Sequence, residues 1–369
     1  MPVDAIARRF PLVSRVKPPG RPLAARVAAL GRTRRESAPD DHYQQIALAS
    51  EVFNVAALIA SDCGMPQQAR DLCWRQYAVF NAARPLSPQL AKLALQPVLN
   101  IPRQMIRDGN GVGAYDVLQE LLRAAQERRQ ADVAGYRIDM ADVTRDQADH
   151  HAVCTQLWAA LAADGSRALA QAGRWGEAAA ALAAHKLVGN RLLDGRQIAV
   201  ISLLERGLVD QAVAMVDASA ITESWEKTAA VVLRAYCAAW MPEGDRHVDV
   251  AVGEALTLVE IAEPTTVVFR VRLGLTALDI AQGRTSLASR LQAAVIVAAC
   301  TDAYAAREVL GREASHSSMT AQDVKALASI VDASGFGRGV MPQEQASQMM
   351  ECVASAEADL RSLLARQRR

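Results

Sequence analysis

The densest run of side chains able to do chemistry is Asp149, His150, His151 and Cys154. On a helix His151 and Cys154 lie three apart and share a face, the spacing at which an imidazole and a thiolate can grip one zinc ion. A zinc site takes four ligands, and no second cluster supplies the rest. The run therefore reads as a helix start with a buried cysteine, and no metal site is assigned. The six cysteines (Cys63, Cys73, Cys154, Cys237, Cys300, Cys352) follow no regular spacing and read as reduced thiols. Neither a P-loop, a GxSxG elbow, a GxGxxG turn nor an HExxH pair is found. Trp74, Trp158, Trp175, Trp225 and Trp240 stand in helical contexts and read as core anchors. His42, His185, His247 and His316 have no partners at useful spacing. No catalytic residue and no cofactor is assigned on these grounds.

The elements that would position such groups are helices. The chain has 369 residues, 51% of them hydrophobic but only 4% aromatic, which is ample for a core and poor for a β-sandwich. Ala, Leu, Arg, Gln and Glu dominate, and these are good helix formers. At a net charge of +1 no whole-protein field points to nucleic acid or membrane. Arg8, Arg9, Arg15 and Lys17 interrupt any apolar export signal near the N-terminus. The longest uncharged apolar run, around Leu291–Cys300, is shorter than the ~20 residues a membrane span needs. A soluble, cytoplasmic protein without membrane contact is expected.

Residues 1–36 stand apart. Nine basic side chains against Asp4 and Glu36 give them +7, leaving −6 for the remainder. Pro18, Pro19, Gly20 and Pro22 break the segment, so a basic, partly disordered arm is expected. The sharper alternative is a nucleic-acid contact, although no helix-turn-helix pattern accompanies it.

From His42 onward the chain reads as helices joined by short turns. Ser87 and Pro88 make an N-cap and first-position pair, Thr144 with Gln147 and Thr320 with Asp323 have capping-box spacing, and Pro264 and Pro342 stand where helices can begin. Pro97 and Pro102 divide an otherwise helical stretch. The reading preferred is a helix starting after Pro97, against a kinked helix running through both.

A recurrence ties these pieces together. A Gly ends one helical stretch and an Ala follows five residues later: Gly64/Ala69, Gly109/Ala114, Gly173/Ala178, Gly207/Ala212 and Gly283/Ala288. The Gly can take a left-handed C-terminal cap, and the small Ala one turn into the next helix lets two helices approach closely. Gly173 and Gly207 are 34 residues apart, and a degenerate turn near Gly244 would fill the longer gap to Gly283. The polar stretch Ala131–Asp149 reads as an addition to one repeat.

On these residues the chain resembles the tetratricopeptide-repeat (TPR) superfamily over roughly residues 44–300, in a divergent form that lacks most of the Trp, Tyr and Pro signature positions. It is also similar to the divergent helical-repeat proteins of antibiotic-producing bacteria, some of which carry an N-terminal regulator domain that is not recognisable here. The resemblance implies an all-α, right-handed solenoid of antiparallel helix pairs over residues 37–311. Residues 312–369 would be a C-terminal helical cap, with a polar closing helix at Gln343–Arg366.

In such a fold the first helix of each pair lines a concave groove. Counting back from each turn glycine places Glu51 and Asn54, with Asp62, on the inner face of the first pair; Asn100, Arg103 and Arg107 follow on the second, Asp164 and Arg167 on the third, Asp194 and Gln197 on the fourth, and Arg270 near the fifth. Arginines and amides so arranged could hold a peptide carboxylate or an acidic partner. The expected function is non-catalytic binding of a protein or peptide partner, with the regulatory or scaffolding role implied by the resemblance. The alternatives are a transcriptional regulator using the basic arm and an enzyme or maturation factor with a pocket formed between helices.

Overall fold

All five turn glycines have positive φ: 77° at Gly64, 83° at Gly109, 77° at Gly173, 71° at Gly207 and 75° at Gly283. Four of the corners they make are built alike. The residue after the glycine sends its N–H back to the carbonyl five residues earlier: Met65 to Ala60, Asn110 to Met105, Arg174 to Leu169 and Leu208 to Leu203, at 2.8–2.9 Å. This is the bond that satisfies an orphaned carbonyl at a helix end. The carbonyl of that same residue accepts the N–H of the alanine four positions on (Ala69, Ala114, Ala178, Ala212), closing the first turn of the next helix. All four alanines are fully buried. The five-residue spacing is thus one hydrogen-bonded corner used four times. At Gly283 the corner differs, because Gln282 is also left-handed at φ 49° and Ala288 is only half-buried. The expected turn near Gly244 lies outside the described residues.

This computed structural model describes residues 6–7, 9–16, 18–36, 41–239, 245–312 and 319–366. They are all-α apart from one small ladder. In chain order the elements are α1 (Leu23–Glu36), α2 (His42–Asp62), α3 (Pro66–Asn81), α4 (Pro88–Arg107), α5 (Gly111–Glu127), β1 (Gln130–Val133), β2 (Tyr136–Asp139), α6 (Gln147–Ala160), a π turn (Leu161–Gly165), α7 (Ser166–Gln171), α8 (Trp175–Ala184), α9 (Asp194–Glu205), α10 (Val209–Asp217), α11 (Ser224–Ala238), α12 (Asp245–Val259), a 3-10 turn (Pro264–Thr266), α13 (Val267–Ala281), α14 (Ala288–Ala299), α15 (Ala303–Leu310), α16 (Ala321–Ser334) and α17 (Gln343–Arg366). Two compact units share them. Unit 1 takes residues 1–21 and 169–334; unit 2 takes 22–168 and 335–369.

In unit 2, helices α2 to α6 pack each on the next, and α17 packs on α1, α2 and α3. Its core runs through Phe53, Phe80, Val98, Leu118, Leu121 and Leu157. The closing helix was expected to cap the array with a polar face. Beside its exposed polar side it carries a buried stripe, Met349, Val353, Ala356, Leu360, Leu363 and Leu364, whose spacing demands cover along the helix. The segment expected as a loose arm is also packed where it is described: Leu23, Val27 and Leu30 of α1 are buried, as are Phe10 and Leu12 in unit 1.

Other local readings meet the structure unevenly. Helix α4 begins at the Ser87–Pro88 pair, with the Ser87 hydroxyl accepting from the Leu90 N–H at 3.4 Å, and runs through Pro97 and Pro102. Both prolines are buried among Leu93, Leu95, Val98 and Ile101, so tertiary packing outweighs the bonds they forfeit. Thr320 and Asp323 form the reciprocal cap, Thr320 N–H to Asp323 at 3.0 Å and Asp323 N–H to Thr320 at 3.2 Å. At α6 the cap is Asp146, which accepts from the Asp149 N–H at 2.8 Å, and Thr144 is buried upstream. Part of the stretch Ala131–Asp149 forms the β1–β2 hairpin, turned by Ala134 and Gly135 with φ 53° and 85°. Two consecutive left-handed residues make the tight turn such a hairpin needs. Its Ala131, Val133 and Ile138 are buried, while Tyr136 stacks on Trp74 at 4.3 Å.

In unit 1, helices α8 to α16 pack in sequence, with Trp175, Ile198, Ile201, Val232, Leu233, Tyr236, Val271, Leu273 and Val295 inside. No helix among the described residues is long and apolar enough to cross a membrane.

Candidate functional site

The run Asp149, His150, His151 and Cys154 sits at the start of α6. His150 is buried with its Nε2 2.7 Å from the Ala125 carbonyl oxygen, His151 is exposed, and Cys154 is half-buried. Among the described residues no three His, Cys, Asp or Glu side chains are placed to hold a metal ion. Burial drives the thiols of Cys73 and Cys237 up to about 12, so neither is a thiolate at neutral pH.

The residues expected to line one groove divide between the units. In unit 2, Glu51 and Arg107 are exposed and Arg167 is half-buried. Four others make a line of hydrogen bonds from α2 through α4 to the π turn. The Asn54 amide donates to Gln96 at 2.9 Å, the Asn100 amide donates to Asn54 at 2.9 Å, and Arg103 donates to Asn100 at 3.2 Å and to Asp164 at 2.8 Å. The π turn carries Asp164 opposite Arg103. These side chains answer one another, and their polarity is largely consumed in joining helices.

The three in unit 1 differ from the expectation of an open face. Gln197 is fully buried and donates to the Leu192 carbonyl at 2.7 Å, because α9 turns that side inward against the preceding loop. Arg270 is 4% exposed and donates to the carbonyls of Val259 (2.7 Å) and Glu263 (2.7 Å) and to the Thr266 hydroxyl (3.3 Å). It stitches the α12–α13 loop, and burial lowers its pKa from the usual arginine value. Asp194, at the start of α9, accepts the Val13 N–H at 2.9 Å and an Arg15 guanidinium N–H at 3.3 Å. The basic N-terminal segment thus lies on a residue expected to meet a partner. Its other described contacts follow the same rule: Arg9 pairs with Asp279 at 3.0 Å, and Arg26 in unit 2 pairs with Asp62 at 2.5 Å. Three of the cations that gave the segment its +7 are therefore neutralised by carboxylates of the chain itself.

Sequence reading missed one sizeable concavity. A cleft of about 820 Å³ in unit 1 lies between the end of α12, the 3-10 turn, the start of α13 and the outer face of α14. Leu256, Val259, Val267, Ala293, Ala294 and Val297 are among the apolar residues of its wall. Val297 is 69% exposed and Ile261 45%, where apolar side chains of this size ordinarily find cover. Arg21 and Arg290 stand at its edge with Glu260, all exposed. The size suits a small ligand or the anchor of a peptide. One signal for it was legible: an apolar run at Leu291–Cys300 continues round the exposed side of α14.

Compared with family models, with curated proteins and with solved structures, the chain matches none.

Proposed function

We propose that this chain is a non-catalytic helical-repeat protein of TPR-like, right-handed antiparallel pairs that binds a protein or peptide partner. The observation that carries the reading is the cleft beside α14, where Val297 and Ile261 stay exposed at the mouth of an apolar hollow edged by Arg21 and Arg290. An apolar anchor with charge at the rim is the arrangement of a peptide site. Four corners of identical bonding support the repeat architecture, since repeated pairs that stack leave surfaces of this kind. Regulation or scaffolding as the setting comes from the resemblance alone.

The test is affinity capture from the native cell with the full chain and with two variants, Val297→Asp and Arg290→Glu. Both positions are exposed, so helicity and melting should stay unchanged while a specifically captured partner is lost. A partner retained equally by both variants overturns the cleft as the site.

A further inference from the structure

Residues 9–16 and 18–20 are held in unit 1 by carboxylates at three separate helices. Asp279 of α13 takes Arg9 at 3.0 Å, Asp194 of α9 takes the Val13 N–H and Arg15, and Asp302, the N-cap of α15, takes the Gly20 N–H at 2.5 Å. The Ala303 N–H returns a bond to the Gly20 carbonyl at 3.0 Å. Phe10 and Leu12 supply two buried apolar anchors, 3% and 4% exposed. Gly20 is the one residue the close approach allows, for a Cβ there would lie 2.9 Å from the Ala303 nitrogen and from the Tyr304 ring. From Phe10 to Gly20 the described segment has no helix or strand of its own. Its place is fixed by what it touches, not by bonds within itself. A segment without secondary structure, anchored by alternate apolar side chains, backbone N–H groups and charge pairs to a helical surface, is bound as a peptide ligand is bound.

We propose that this face of unit 1 is a peptide-binding surface, occupied in cis by the chain's own residues 9–16 and 18–20 and, once they leave it, able to take in trans a basic peptide of the same chemistry: an arginine, an aromatic and an aliphatic anchor, a second arginine six residues after the first, and a glycine after proline. The two arginines of the segment each meet a carboxylate, Asp194 for Arg15 and Asp279, shared with the buried Arg312 at 2.6 Å, for Arg9, and these contacts set the sign of the partner. Because Pro19 and Arg21 also edge the cleft, removing the resident segment changes the cleft mouth as well. The inference goes beyond the cleft reading and does not depend on it.

The probe is a labelled synthetic peptide with the sequence of residues 6–21, titrated onto the full chain. Arg9→Glu with Arg15→Glu in the chain weakens the resident segment and leaves the receiving surface intact. The expected result is saturable peptide binding to that double variant, at least about tenfold weaker to the unaltered chain, and about tenfold weaker again when the peptide itself carries both Arg→Glu changes. Binding should fall with added salt. A folded double variant that takes up no peptide, or takes both peptides alike, overturns the proposal. If the double variant does not fold, hydrogen exchange on the unaltered chain decides. The Val13 and Gly20 amides should exchange at least about a hundredfold faster than those of Ile201 and Leu273, reporting release of the segment alone. Equal rates mean that the segment leaves only on global unfolding, and that overturns the proposal too. Val297→Asp should leave all of these readings unchanged, which separates this surface from the cleft.

Discussion

The guanidinium of Arg26 meets the carboxylate of Asp62 at 2.5 Å with only 9% and 2% of the two side chains exposed. The pair joins α1 to the end of α2, next to the corner at Gly64. There the Gly337 and Gly339 N–H groups bond the Asp62 and Cys63 carbonyls at 2.8 and 2.7 Å, and Arg26 lies 5.8 Å from the centre of the Phe336 ring. A charge from the segment expected to be loose is thereby built into the interior of unit 2.

Removing one member of that pair should be costly, because the other charge is left buried. Arg26→Ala or Asp62→Ala should each lower stability by about 3–5 kcal/mol, and the paired replacement Arg26→Met with Asp62→Leu by much less. Urea unfolding of the four proteins checks this; single variants within about 1 kcal/mol of the parent would contradict it.

The corner glycines should differ in tolerance. Gly207 has φ 71° with nothing within 4 Å of an added Cβ, so Gly207→Ala should cost only the left-handed strain, about 1–2 kcal/mol. Gly64 adds a steric term, since its Cβ would lie 3.2 Å from the Gly339 nitrogen and 3.3 Å from Gly337. Gly64→Ala should therefore melt clearly below Gly207→Ala in thermal scans.

Glu226 ties stability to pH. Burial pushes its carboxyl up, but the Thr222 N–H at 2.7 Å, Arg191, the Thr222 hydroxyl and the Glu223 N–H hold it below the usual carboxylate range. A depressed folded value means its contribution is complete above the ordinary pKa of about 4.3 and disappears as pH falls through the folded value. Glu226→Gln should cost about 1–3 kcal/mol at pH 7. In melts taken from pH 7 downward the gap to the parent should close below about pH 4; a gap constant with pH argues against the bonding described.

The thiols should sort by burial. Cys300 is exposed, Cys154 and Cys352 are half-buried, and Cys63, Cys73 and Cys237 are buried. A thiol reagent at neutral pH should modify Cys300 first and reach Cys63, Cys73 and Cys237 only on unfolding. Mass spectrometry of partly labelled chain reads the order directly.

Composition and punctuation settled the all-α character and the corners. A glycine that needs positive φ and an alanine that must be buried four residues into the hydrogen-bond pattern leave a local signature, which is why Gly64 and Ala69, or Gly207 and Ala212, are legible as pairs in the sequence. Ser87–Pro88 and Thr320–Asp323 were legible for the same reason: a cap is satisfied within four residues. Side-chain facing was much less so. Asn54, Asn100, Arg103 and Asp164 were selected as neighbours and do form one line, yet nothing local says that they would bond each other and leave little for a partner.

What the tertiary structure alone decided are matters of distance along the chain. Arg9 finds Asp279 270 residues away and Gly20 finds Asp302 282 residues away, so a segment that is basic and broken by prolines in isolation becomes a fitted part of unit 1. The stripe on α17 could promise burial but could not name α1, α2 and α3 as its cover. The cleft beside α14 exists only because the end of α12 and the start of α13 enclose it. Local bonding fixes helices and their corners within a few residues; which surfaces those helices then bury, and which they leave open, depends on partners that no window of sequence contains.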